Sequence, residues 1–174
     1  MKQRITIRIN SDQQIYDMLN KTWLTGRSRE ATGELTPELI SSMIASEDDA
    51  DLNQIKRTYM EATATLKSML SEYLEEDKAE ADNKLSWADK ELTLLMPSNF
   101  NTAVTETIAE TCHKYITARV CYDWYMLKKT DEAAPYKADA DTALAELRQA
   151  VCKRKRPTPP ATYMDYPEYD KPIE

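Results

Sequence analysis

Glycine is almost missing from this chain: Gly26 and Gly33 are the only two in 174 residues. A β-sandwich or barrel uses glycine at many turns, and a dinucleotide-binding loop uses several close together, so those architectures are excluded. Proline is scarce through most of the sequence, because five of the eight follow residue 156. A stretch poor in both helix breakers is free to run in long helices. No apolar run approaches the roughly 20 residues that span a bilayer, and the first residues lack the apolar heart of a signal peptide. These features point to a reducing cytoplasm, or to a particle assembled there, and to no membrane partner. Cys112, Cys121 and Cys152 are the only cysteines. Their spacing fits no metal site and their odd number closes no disulfide framework, so they read as small buried hydrophobes.

What is there is acidic and periodic. The net charge is −7, with 41% hydrophobic and 30% charged residues, which fits a globular chain with much exposed helix. An acidic body does not grip nucleic acid, since duplex binding draws on phosphate neutralisation by lysine and arginine. It remains compatible with a surface past which DNA slides without sticking.

Residues 4–9, "RITIRI", alternate strictly, which predicts a half-buried strand with Ile5, Ile7 and Ile9 inward. Ser11 then caps a helix to about Thr25, with Ile15, Met18, Leu19 and Trp23 on one face. Both glycines fall in 25–38, which reads as an exposed loop, and a short helix follows Pro37. Leu52, Ile55, Tyr59, Ala62, Leu66, Met69 and Tyr73 step by three or four through a long helix that starts at Asp49 or Asp51. Leu92, Leu94 and Met96 alternate before Pro97 and supply the partner strand. Asn101 caps a helix over 102–129, whose "VCYDWYML" (120–127) is apolar nearly all round and so predicts burial on every side. Asp131 and Pro135 open a last helix along Tyr136, Ala140, Ala143, Leu144, Leu147 and Val151. The predicted fold is mainly α: a bundle of four to five helices with a small strand pair and an extended C-terminal arm. Residues 1–152 form the helical domain and 153–174 the basic, proline- and tyrosine-rich arm.

Candidate chemistry is thin. Glu110 and His113 form an E-x-x-H on a helix, a di-iron ligand pattern in some bundles. His113 is the only histidine, and the matching second pair and inward glutamates are missing. Cys112 and His113 are adjacent, so on a helix they project about 100° apart and cannot act as a nucleophile and its base. No serine elbow, phosphate loop or paired-carboxylate signature occurs. The sequence predicts no enzyme, no metal and no cofactor. Arg27 and Arg29 lie in the expected loop, either solvated or in contact with a polyanion or an acidic partner. The arm carries the strongest signal. Lys153, Arg154, Lys155 and Arg156 run straight into Pro157, and Tyr163, Tyr166 and Tyr169 follow at every third residue, with Met164 among them. Proline-rich ends are often only loose ends, yet disordered segments are poor in aromatics. Regularly spaced tyrosines on an extended backbone are anchors for grooves on a partner.

The segment "MPSNFNTAVTETIAETCHKYITARVCYDWYMLKK", with the following "YKADADTALAELRQAVCKRKRPTPP", resembles the head-to-tail connector proteins of tailed bacteriophages, with the flavour of the crAss-like group. The likeness lies in an aromatic-rich long helix, a turn, an amphipathic helix, then a basic stretch and prolines, over about residues 97–160. It implies a structural protein of the virion neck: a small helical bundle forming a ring, commonly of twelve copies, between portal and tail proteins. DNA passes non-specifically through the middle, and terminal arms clamp neighbours. The longer 52–83 region and the tyrosine arm depart from the simplest members and leave the tier of the neck open. The alternative is a helical adaptor or regulatory protein that binds a partner through its C-terminal linear motif.

Overall fold

The computed structural model describes residues 2–33, 35–75 and 87–156. Among them are five α-helices and one two-stranded antiparallel sheet, so the fold is mainly helical as predicted. β1 (Gln3–Ile9) pairs with β2 (Lys90–Met96), Gln3 opposite Met96 and Ile9 opposite Lys90. The period of two places Ile5, Ile7 and Ile9 in the core and their neighbours outside. The other edge of β2 is covered too: Leu74 bridges Leu94, and Glu75 donates its backbone N–H to Thr93. Glu75 also pairs with Arg4 across the ribbon. An edge that would otherwise expose unpaired backbone groups is thus closed.

α1 (Ser11–Thr32) departs most from the sequence reading, which stopped it near Thr25 and placed 25–38 in a loop. Both glycines have a different reason from the one expected. Gly26 lies inside the helix, where an added Cβ would sit 2.5 Å from Ile44 Cγ1. The helix therefore crosses the end of α2 (Pro37–Met43) at a point with no room for a side chain. Gly33 takes a φ of 67° and ends the helix in the left-handed conformation. The cap is Asn10, whose Oδ1 accepts from the Gln13 N–H at 2.9 Å. Ser11, expected to cap, instead donates both its N–H and its hydroxyl to Asp89 Oδ1, each at 2.8 Å. The buried face of α1 is Ser11, Gln14, Met18, Thr22 and Gly26, while Trp23 is 47% exposed.

α3 (Asp49–Met69) buries Ile55, Tyr59, Ala62 and Leu66 as its periodicity predicts. A 3₁₀ turn capped by Asn101 leads into α4 (Thr105–Lys128), and a second turn leads into α5 (Ala133–Val151). α4 is the spine. It forms an antiparallel hairpin with α5, and α1, α3 and the sheet pack on its remaining faces. Ile108, Cys112, Ile116, Val120, Cys121 and Tyr125 are all buried there. The expected all-round burial of 120–127 does not hold: Val120, Cys121, Trp124 and Tyr125 are buried, Tyr122 and Asp123 are half-buried, and Met126 and Leu127 in the last turn are exposed. Cys152 is exposed as well, since the apolar stripe of α5 ends at Val151.

Candidate interaction surface

The four cations that close the described chain are fixed to the body. Asn101 donates its N–H to the Lys153 carbonyl at 3.2 Å, and Lys155 donates its N–H to Asn99 at 2.7 Å. Arg154 bridges Phe100, which is fully buried, and sends its Nη1 to the Val151 carbonyl at 2.9 Å. The backbone pairing therefore reaches past the boundary read at residue 152. The side chains of Lys153, Arg154, Lys155 and Arg156 nonetheless stand exposed, a compact positive rim at the end of α5. Tyr163, Met164, Tyr166 and Tyr169 lie outside the described residues.

Arg27 and Arg29 stand on the last turns of α1 instead of in a loop. Arg27 pairs with Glu30 and lies over the Trp23 ring, 5.6 Å from its centroid. Arg29 reaches across to Glu132, Nε to Oε1 at 2.8 Å, and the Glu132 side chain is only 10% exposed. A guanidinium committed to a nearly buried carboxylate holds the α1 end to the α4–α5 turn. The loop placement is thus corrected to a helix: Arg27 stays exposed beside Glu30, which is itself exposed, and only Arg29 is drawn onto a near-buried acid.

Glu110 and His113 do not converge. Glu110 pairs with Lys114 one turn on, at 2.8 Å, and that ammonium holds its carboxyl below the usual range. His113 faces α1, Nε2 to Asp17 Oδ2 at 2.6 Å and Nδ1 to Gln14 Nε2 at 2.7 Å. Thr117 donates to Gln14 Oε1 at 2.8 Å. The partners set the tautomer: Nε2–H donates to the carboxylate and Nδ1 accepts from the amide. This cluster fastens α1 to α4, and an apolar periodicity search passes over it because its buried members are a glutamine and a threonine. Among the described residues no three histidine, cysteine or acidic side chains gather as a metal site. No described helix is long and apolar enough to cross a membrane.

Two concavities lie along the seam between α1 and α5, of about 310 Å³ and 430 Å³, and Asp139 borders both. Ala118 and Ala143 line the first, with Lys21 and Lys114 beside them. Leu24, Pro135 and Tyr136 line the second. Among the described residues, Tyr16, Trp23 and Leu24 of α1 and Met126 and Leu127 of α4 are the large exposed hydrophobics. No protein-family model matches the chain, and no curated protein or solved structure matches it either.

Proposed function

We propose that this chain is a structural subunit of a bacteriophage neck, forming a ring between portal and tail through which DNA passes. The single observation that carries the reading is the finished body. Among the described residues the core cluster runs from Ile5 to Val151. Four exposed cations then project from a rim that the backbone itself holds in place. The outward charges of that rim, followed by regularly spaced tyrosines, suit contact with another subunit. The resemblance over residues 97–160 supplies the class of assembly, and the −7 charge suits a conduit that does not hold its DNA. The reading assigns the body no catalytic centre and no cofactor.

The test compares two variants for stable incorporation into rings or particles. One is Tyr163→Ala/Tyr166→Ala/Tyr169→Ala; the other replaces Lys153, Arg154, Lys155 and Arg156 with alanine. A buried aromatic anchor contributes about 2 kcal/mol or more at an interface, whereas exposed ion pairs contribute about 0–1. The tyrosine triple is therefore expected to block assembly and the cation variant to weaken it in a salt-dependent way. Normal incorporation of the tyrosine triple would remove the arm from the assembly. A low-resolution map of the particle, with the chain found away from the neck, would remove the phage reading itself and favour the adaptor.

A further inference from the structure

We infer that the seam between α1 and α5 is the receiving site for residues 163–169 of a second copy of this chain. The inference rests on the ring reading and names the surface that reading leaves unspecified.

The shape of the seam comes from how the helices meet. α1 and α5 both lie on α4, and they are tied at one end, where the Thr25 and Tyr136 hydroxyls meet at 2.7 Å. Beyond that contact the first concavity has Ala118 of α4 and Ala143 of α5, both buried, in its lining. Two alanines leave volume that larger side chains would fill. The apolar wall continues at Leu24, which is 51% exposed and lines the second concavity. Polar groups border it: Lys21, Lys114, Asp139 and Glu146. An apolar floor with hydrogen-bonding walls suits a side chain with an apolar body and a polar tip, which is the character of tyrosine.

Length and periodicity select the occupant. A polyproline-type backbone has three residues per turn and rises about 3.1 Å per residue. On such a backbone Tyr163, Tyr166 and Tyr169 share one face and span about 19 Å. Along α5 the seam extends from Pro135 to Glu146, which at 1.5 Å per residue is about 16 Å. Three rings and the seam match in length. Asp165 and Glu168 fall between the tyrosines, off their common face, and would meet the ammonium groups of Lys21 and Lys114. The phenol hydroxyls would in turn donate to Asp139 and Glu146.

The chain leaves α5 beside the turn that enters α4, and the ring reading makes a neighbour's seam the one it meets. Lys153 and Lys155 pair with Asn101 and Asn99, in that order. This leads the chain from α5 toward Ser98, which accepts from the Gln3 side chain of β1. Six residues separate Arg156 from Tyr163, seven steps with a reach of at most about 25 Å. The neighbour must therefore present its seam within that distance of the basic rim.

The experiment uses the full chain with a benzophenone amino acid in place of Tyr166. Isotopically heavy and light copies are mixed and irradiated, and the linked peptides are identified by mass spectrometry. The expected result is heavy–light links to peptides containing Lys21–Arg29 or Pro135–Glu146. Leu24→Asp, a change on the exposed wall, is expected to cut that yield about tenfold with an unchanged melting curve. Links within one chain, links between chains at another surface, or no links would each overturn the inference. Light scattering on the same sample separates it from the ring reading: closed rings linked elsewhere defeat only the seam, and seam links in an open dimer defeat only the ring.

Discussion

At the scale of single residues, the fold is decided by a few side chains whose surroundings leave no alternative. Trp124 is 4% exposed, donates its indole N–H to the Met43 carbonyl at 2.8 Å and carries Lys128 over its ring. It joins α4 to the end of α2. Trp124→Ala is expected to cost about 3–5 kcal/mol in a denaturant titration. Trp124→Phe, which keeps most of the bulk and orphans one buried carbonyl, should cost about 1–3. The cysteines split by burial. Desolvation pushes the thiols of Cys112 and Cys121 from 9.0 up to about 12, whereas Cys152 is exposed. A native alkylation assay should therefore show one rapidly modified thiol, at Cys152. The fold favours the protonated form of the two buried thiols, so their contribution is complete below the unfolded pKa of 9.0 and is lost as pH rises toward 12. Urea midpoints measured at increasing alkalinity should fall across that window, and less so in Cys112→Ala/Cys121→Ala.

At the scale of elements, legibility followed apolar periodicity. β1, β2, α3, α4 and α5 announce themselves through steps of two or of three and four, and the structure places Ile7, Leu94, Tyr59, Ile116 and Leu147 inside as those steps require. α1 departs from the reading in length and at Trp23, although Met18 is buried and Ile15 and Leu19 pack against the core, for two physical reasons. Its buried row of Ser11, Gln14, Thr22 and Gly26 carries little hydrophobic signal, because partners elsewhere in the chain satisfy the polar members. Gly26 looked like a breaker because glycine costs helix stability in isolation; here tertiary contact with Ile44 requires it. That contact gives a prediction. Gly26→Ala gains about 1 kcal/mol of helix propensity but overlaps Ile44, and overpacking costs about 1–3 kcal/mol. The single variant should be destabilised. In an Ile44→Ala background the same change should become neutral or stabilising, and a double-mutant cycle reads the difference. The candidate site was legible as composition, four cations and spaced tyrosines, but the α1–α5 seam was not. A groove exists only when two helices distant in sequence are laid side by side.

At the scale of the whole molecule, the question is where the body ends and the arm begins. Sequence composition divides the chain after residue 152, where apolar periodicity stops. Backbone pairing carries the fold further, because Lys153 and Lys155 exchange hydrogen bonds with Asn101 and Asn99 around a fully buried Phe100. The basic segment thus serves two ends: its backbone closes the turn that enters α4, while its charges face outward. Two truncations separate those roles. Removal of 157–174 leaves every described residue of the core cluster in place, and the isolated body is expected to keep its denaturation midpoint while losing assembly. Removal of 153–174 also deletes the two backbone hydrogen bonds and uncovers Phe100. At about 1 kcal/mol for each bond, and more for the ring, it should lose at least about 2 kcal/mol of stability. Alanine at all four cations keeps the backbone pairing and should match the shorter truncation in stability, apart from the Arg154 contact to Val151. Equal stability for the two truncations would mean that the 99–101 turn holds itself, and that the cations belong to the arm alone.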